Sequence, residues 1–100
     1  MAKLVFGMNQ SLDGYVDDLL RALSRRLRRF TVDDRRDVAL IDRQGIEARV
    51  TWLDDPNLLC QRMLFTEAID HRVHQLTATC LASQRDAVDP LVDACFAGVR

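Results

Sequence analysis

The sequence predicts a small α+β domain in which an antiparallel β-meander packs against two helices. Short segments of alternating polarity follow one another from Val38 to Thr79, and turn residues separate them, which is typical of antiparallel strands. An amphipathic stretch with helical spacing precedes this run and another follows it. A length of 100 residues favours a single domain that spans 1–100. We therefore expect one sheet with both helices on one of its faces.

The first elements are a short strand and a helix. Lys3–Met8 is an apolar run of strand length, and Ser11 is a suitable N-cap for a helix that runs to about Arg29. The aspartates of this helix come early and its arginines late, which complements the helix dipole. Its apolar residues lie three and four positions apart and form one stripe: Leu12, Tyr15, Val16, Leu19, Leu20, Leu23 and Leu27. Thr31–Arg36 is predicted to be a polar connection.

Four strands and a second helix are predicted after this connection. The strands are Asp37–Asp42, Ile46–Leu53, Leu59–Thr66 and Val73–Cys80. The last helix spans roughly Asp86–Ala97, with Pro90 in its first turn, where proline is tolerated.

The alternation also assigns the side chains to two faces, with the hairpin turns centred near Asn57 and Asp70. One face is expected to form the core: Ile46, Ala48, Val50, Trp52, Met63, Phe65, Leu76 and Ala78. The other face is mixed and is therefore either solvated or a binding surface: Glu47, Arg49, Thr51, Leu53, Arg62, Leu64, Gln75, Thr77 and Thr79. An error of one residue in the register would exchange the faces of a strand.

Composition excludes several classes of protein. Apolar residues make up 48% of the chain and charged residues 29%, as in ordinary globular domains. A net charge of −1 gives no overall attraction to nucleic acid or acidic membranes. No apolar run approaches the ~20 residues that span a bilayer, and the first residues do not form a signal peptide. With three cysteines and no C-x-x-C, the chain is expected to be cytoplasmic.

No pattern of catalytic or metal-binding residues is present in the sequence. Cys60, Cys80, His71 and His74 match no closed zinc spacing. No serine lies in a G-x-S-x-G setting, and four glycines are too few for a phosphate loop. The arginines between 21 and 29 have no stacking aromatic residues among them, which favours a solvated helix end over a phosphate site. We therefore predict no catalytic residue, no cofactor, no metal and no nucleic-acid partner.

A longer pattern carries a family resemblance. The pattern has five pieces. A helix of the form L-x-x-Y-V-D-x-x-L begins at Leu12, and a strand of the form E-x-x-x-x-W begins at Glu47. A Q-R-x-x-F segment begins at Gln61, an R-V-x-x-L-T-A-T segment at Arg72, and the final helix at Asp89. Residues 12–100 thereby resemble the DcrB-like family, whose members include the effector-associated (Eag) chaperones of bacterial type VI secretion. The resemblance implies a Mog1/PsbP-like fold and binding rather than catalysis.

The resemblance also implies a class of partner. Eag-type members hold hydrophobic transmembrane segments of effectors and act with effectors that carry a PAAR tip domain. The implied function is that of a cytosolic chaperone for a secreted effector, without stable insertion into a membrane. Carried over by position, the open sheet face is expected to contact the partner through Arg49, Thr51, Arg62, Leu64, Gln75 and Thr77. A plain solvated face remains the alternative for these residues.

The beginning of the chain departs from this family. DcrB-like proteins carry additional strands before the first helix, whereas only Lys3–Met8 precedes it here. The domain is therefore interpreted as shortened at its N-terminus. A sheet that lacks such strands has a free edge, and a free edge favours pairing with a second chain. A homodimer is accordingly possible.

Residues 1–17 alone resemble a different family. They are similar to the opening of reductases of the dihydrofolate reductase and RibD C-terminal type. In those enzymes the N-x-S-L-D-G turn borders the nicotinamide cofactor, and the matching residues here are Asn9, Ser11, Leu12, Asp13 and Gly14. A later glycine-rich cofactor turn is missing from this sequence. A fragment of a nicotinamide-dependent reductase is thus the alternative function.

Overall fold

The four strands form one antiparallel sheet with a helix on each face. The computed structural model describes residues 11–40, 43–67 and 72–98. Its elements are α1 (Leu12–Arg26), β1 (Arg28–Ala39), β2 (Gln44–Asp54), β3 (Asn57–Glu67), β4 (Val73–Leu81), a 3-10 turn (Ala82–Gln84) and α2 (Arg85–Ala97). The strands lie in the order β1-β2-β3-β4. The predicted α+β class, an antiparallel meander with two helices, is confirmed, while the predicted strand at Lys3–Met8 lies outside the described residues.

Helix α1 begins where the sequence indicates and ends earlier than predicted. The Ser11 hydroxyl accepts a hydrogen bond from the Gly14 main-chain N–H at 3.1 Å, as an N-cap does. The helix ends at Arg26, because Leu27 already has extended backbone angles. Two residues later, Arg29 adopts a φ of +53°, in the left-handed region that few non-glycine residues occupy. The chain thus turns abruptly from α1 into β1.

The expectation that Thr31–Arg36 is a connection is wrong, because these residues belong to β1. The strand lies at one end of the sheet, and most of its residues are exposed, so that it needs little apolar alternation. Two shifts in its register against β2 interrupt the alternation further. Its charges instead find partners on α1, where Arg35 forms ion pairs with Asp13 and Asp17.

The expectation that both helices lie on one face is also wrong. Helix α1 covers the predicted core residues of β2 and β3, with Trp52 half-buried at the margin, and this cluster contains Val16, Leu20, Ile46, Ala48, Val50, Met63 and Phe65. Helix α2 packs Val92 and Phe96 against Leu64 on the opposite face. Phe65 and Leu64 are neighbours on β3 and are both 0% exposed. Since they point to opposite faces, each face needs its own helix.

The faces of β4 are exchanged relative to the prediction. The β3–β4 register is symmetric about residue 70, as expected, and it places Leu76 opposite Leu64 and Ala78 opposite Arg62. Leu76 and Ala78 therefore lie on the α2 face and not in the α1 core. Gln75 lies opposite Phe65 and is thus on the α1 face. The centre of the register agrees with the prediction, whereas the assignment of the β4 side chains to faces was wrong by one residue.

Candidate partner-binding groove

A groove lies between β4 and the flank of α2. It has a volume of about 360 Å³ and is lined by Leu76, Thr77, Ala78, Leu91, Val92, Cys95 and Phe96. Leu91 is 68% exposed and Leu76 is 41% exposed. Single exposed leucines are ordinary on a protein surface, whereas two leucines that line one groove are characteristic of an interaction site.

A second, smaller depression continues the groove along the same face. It is lined by Leu40, Arg43, Leu64, Thr66, His74 and Leu76. Leu76 belongs to both depressions and Leu64 is fully buried. An apolar track therefore follows the α2 side of β4.

A cluster of charges lies under α2 and holds this helix against the sheet. The guanidinium group of Arg62 on β3 lies 2.8 Å from a carboxylate oxygen of Asp93 and 3.4 Å from one of Asp89, both on α2. The same group lies 3.3 Å from a carboxylate oxygen of Glu47 on β2. The side chains of Arg62 and Glu47 are each 6% exposed. Arg62 therefore links the centre of the sheet to one flank of α2.

Two further arginines complete the cluster. Arg36 donates a hydrogen bond to Glu47 at 2.9 Å, and Arg49 donates one to Asp89 at 3.0 Å. Positive and negative groups thus alternate across β1, β2, β3 and α2. We call the residues joined by these ion pairs the ionic cluster. It has six members: Arg36, Glu47, Arg49, Arg62, Asp89 and Asp93.

Arg62 is the least solvated cation of the ionic cluster. Burial alone would lower the pKa of its guanidinium group, but the hydrogen bond to Asp93 and the charge of Glu47 outweigh burial, so that the net pKa is raised. The guanidinium carbon also lies 5.3 Å from the centre of the Phe96 ring, in a cation–π arrangement. Its buried Nε has no hydrogen-bond partner among the described residues. A buried, paired guanidinium group of this kind fixes the orientation of α2, and its removal from water costs free energy.

The structure separates the six residues that were predicted to bind a partner. Arg62 and Leu64 are buried beneath α2, and Arg49 is paired with it. The prediction of one open face that carries all six is therefore wrong, because α2 covers part of that face. The Thr51 hydroxyl is bonded to the carboxylate of Asp33. That these residues contact a partner stays a prediction.

The remaining two, Gln75 and Thr77, lie on the exposed edge of β4. Their side chains are on the α1 face, where the Gln75 amide donates a hydrogen bond to the Thr77 hydroxyl at 3.0 Å. Thr77 also lines the groove, since its backbone forms the outer margin of β4. Thr77 is thus the member of the predicted set that lines the groove, whereas Gln75 is exposed on the other face of the sheet.

The apolar residues of α2 that line the groove belong to a stripe with helical spacing in the sequence: Val88, Leu91, Val92, Cys95, Phe96 and Val99. Of the described residues of this stripe, the structure buries Val92 and Phe96. The acidic pair Asp89 and Asp93, four residues apart on α2, was a signal that could have been used. Two carboxylates at that spacing share one side of a helix, and a cation opposite them relieves their mutual repulsion.

The cysteines of the sheet are arranged for packing rather than for reaction. Cys60 is buried on β3 and lies opposite Cys80 on β4. Burial, and then the neighbouring Cys80 thiol, raise the pKa of the Cys60 thiol, which disfavours the reactive thiolate. Within the parts of the chain that the structure describes, no three metal-binding side chains come together. His71 lies outside those parts.

The residues that resemble a reductase turn have local roles here. Ser11 caps α1, and Leu12, Asp13 and Gly14 form its first turn. The Asp13 carboxylate lies 3.4 Å from the Arg35 guanidinium group. Asn9 lies outside the described residues. Helix capping thus accounts for Ser11 and Gly14 in terms of structure.

Comparison with known proteins shows the fold and no family. No family model matches the chain, and no curated protein matches it. The structure is similar to the crystal structure of PA94 from Pseudomonas aeruginosa, a protein of unknown function described as a candidate regulator. The TM-score is 0.78 at 19% identity over 86% of this chain, which spans only 59% of PA94. At this identity the likeness is one of fold alone. Neither helix in the described residues has the length and apolar character to cross a membrane.

Proposed function

We propose that this protein is a cytosolic, non-enzymatic chaperone or adaptor for a type VI secretion effector and that it binds a hydrophobic segment of that effector. Two independent observations support the proposal. One is the resemblance of residues 12–100 to the DcrB-like family and its Eag chaperones. The other is the groove beside α2, in which Leu76 and Leu91 are exposed to solvent. The exposed groove is the single observation in the structure that carries the proposal.

The physical basis is the cost of apolar surface in water. An apolar segment of an effector aggregates in water unless a partner covers it before export. Covering apolar surface gains roughly 25 cal/mol for each Å² that is removed from water. A groove with leucines on both walls offers such cover, and its open side admits a segment of another chain. The polar margin at Thr77 keeps the unoccupied groove hydrated.

The ionic cluster supports the same proposal through the position of α2. If apolar contacts alone held α2, the helix would settle with Leu91 buried. The ion pairs of Asp89 and Asp93 with Arg62 instead fix the rotation of the helix about its axis. Leu91 and Cys95 are consequently left on the exposed side. A groove of this shape is therefore maintained by directional charges together with the packing of Val92 and Phe96 on Leu64.

The experiment is co-expression with a type VI secretion effector that carries a PAAR domain and a hydrophobic segment. We expect the soluble fraction of the effector to rise in the presence of the wild-type chain. Leu91→Asp places a charge in the groove and is expected to abolish the rise. Leu58→Asp is the matched control, because Leu58 is a 46% exposed leucine on β3 that does not line the groove.

Two results would contradict the proposal. One is an effector whose solubility does not respond to the wild-type chain. The other is a loss of solubility that is equal for Leu91→Asp and Leu58→Asp, since the groove would then have no special part in binding. Circular dichroism of both variants tests whether they retain the fold, and only a variant that retains it counts as evidence on the groove.

A further inference from the structure

The two edge strands of the described sheet differ in how they are protected. In β1, seven of the twelve residues are charged, and two register shifts bend the strand against β2. Charges and bulges are the usual means by which proteins prevent an edge from pairing with another strand. β4 contains no Asp, Glu, Lys, Arg or Pro, and it pairs with β3 in continuous register. Within residues 11–40, 43–67 and 72–98, β4 is thus an unprotected edge.

The outward main-chain groups of β4 follow from the pairing. Asp54 and Asn57 close a two-residue turn, so they form a hydrogen-bonded pair. Hydrogen-bonded pairs alternate along each ladder and switch sides from one residue to the next. The even-numbered residues of β4 therefore bond to β3. The N–H and C=O groups of Gln75, Thr77 and Thr79 point away from the sheet.

This edge and the groove are continuous. The backbone of Thr77 forms the margin of β4, and Leu76 and Ala78 form the sheet side of the groove. Leu91 and Cys95 form the opposite wall. A strand added beside β4 would turn every second side chain toward α2 and thus into the groove. Its other side chains would lie beside Gln75 and Thr77.

We propose that the β4 edge binds an extended segment of a partner polypeptide as an additional antiparallel or parallel strand. The segment has apolar residues at alternate positions, which enter the groove beside Leu91, and polar residues between them. Main-chain hydrogen bonds hold the segment, and the groove selects its side chains. The proposal uses the groove of the proposed function, but it does not require that the partner be an effector or contain a transmembrane helix.

A second copy of the chain fits this edge less well than an extended segment does. Helix α2 lies over β3 and β4. A second β4 would carry its own α2, whose exposed Leu91 would approach the same groove from the other side. An extended segment brings only side chains, for which the groove has room. The partner is therefore a segment without a helix of its own above the edge.

The test uses linear peptides selected from a phage-displayed random library on the immobilised wild-type chain. Thr77→Pro removes the outward N–H and leaves the β3–β4 hydrogen bonds intact, since proline is tolerated at such edge positions. Thr77→Ala is the matched control, because it removes the side chain and keeps the N–H. We expect Thr77→Pro to weaken the selected peptides by at least about tenfold and Thr77→Ala to change little.

A second measurement does not depend on any variant. Hydrogen exchange of the wild-type amides should slow at Gln75, Thr77 and Thr79 when a selected peptide is added, and should be unchanged on α1. Selected peptides that lack alternation, or equal losses for Thr77→Pro and Thr77→Ala, would overturn the proposal. So would a dimer, seen by sedimentation, that Thr77→Pro dissociates, because a second copy would then occupy the edge.

The outcomes of the two experiments can be separated. Peptide binding at β4 without any response of the co-expressed effector would contradict the proposed function and support the edge site. Effector stabilisation that is lost with Leu91→Asp and retained with Thr77→Pro would support the groove and overturn strand addition.

Discussion

The two faces of the sheet are covered by one helix each, but by different physical means. Under α1 the cluster is apolar, and Met63 and Phe65 at its centre are fully buried. Under α2 the buried apolar cluster is small, and the ionic cluster lies beside it. Apolar packing is non-directional and stabilises the fold, whereas buried ion pairs contribute little net stability and fix geometry. The α1 face therefore holds the domain together, and the α2 face positions a helix.

The difference explains where the groove is found. Helix α1 turns its apolar stripe toward the sheet, with Val16 and Leu20 buried and Leu12, Tyr15 and Leu19 partly buried against the same cluster. In α2 the charges fix the orientation, and Leu91 remains outside. A surface for another molecule can thus be kept open without loss of the core. The experiments below test this division of roles, in order of decreasing effect.

The largest effect is expected from Phe65→Ala on the α1 face. Phe65 is fully buried and meets the Tyr15 ring edge-on at 6.4 Å between centroids. Loss of the ring leaves a cavity in the apolar cluster, which costs about 3–5 kcal/mol in the free energy of unfolding. Urea denaturation measures this cost. A loss below about 1 kcal/mol would mean that the α1 face is not the principal core.

A smaller loss of stability is expected from Arg62→Met on the α2 face, and its size should depend on whether Glu47 is replaced as well. The substitution removes the ion pair of the buried Glu47 with Arg62 while its pair with Arg36 is kept, so we expect a loss of about 3 kcal/mol in the free energy of unfolding. The double variant Arg62→Met with Glu47→Met removes both buried charges and should recover most of this loss. A double-mutant cycle by urea denaturation measures the coupling. If the double variant is as unstable as the single one, the ionic cluster stabilises the fold rather than positioning α2.

The same contrast accounts for what could be predicted from the sequence. The α1 face depends on regular alternation in β2 and β3, and its core members Ile46, Val50 and Phe65 were predicted correctly. Ser11 caps α1 as predicted, whereas the β2–β3 turn, predicted near Asn57, is centred between Asp55 and Pro56. In each case the information lies within a few neighbouring residues.

The α2 face could not be predicted in the same way. The ionic cluster joins residues that are up to 57 positions apart, from Arg36 to Asp93, and no local pattern indicates that they meet. Leu76 was assigned to the wrong face because the prediction placed the apolar residues of the sheet on one core face, whereas the α2 face has an apolar cluster of its own. Only the end of β1, from Asp37, was predicted as a strand, because an exposed edge strand needs no apolar alternation. The candidate groove depends on the first two of these features.

Alkaline pH tests a single buried group on the α2 side of the sheet. The folded state raises the pKa of Cys60 above its ordinary value of 9.0, through burial and then Cys80. Above about pH 9 the unfolded chain therefore binds fewer protons than the folded one, and stability falls as pH rises, by at most about 1.4 kcal/mol per pH unit. Urea denaturation at pH 7 and pH 10 measures the slope. Cys60→Ala should flatten it and Cys95→Ala should not, so equal slopes in both variants would contradict the assignment to Cys60.

Leu91→Asp is expected to have the smallest effect on stability and the largest effect on the binding of a partner. Leu91 is 68% exposed, and Leu91→Asp should change the free energy of unfolding by no more than about 0.5 kcal/mol, as surface substitutions usually do. If α2 is fixed by its charges, the helix has no need of Leu91 for packing, and the residue is free to serve a partner. A loss of more than about 2 kcal/mol in urea denaturation would show that Leu91 packs in the folded chain, and the groove would then be part of the core rather than a surface for another molecule.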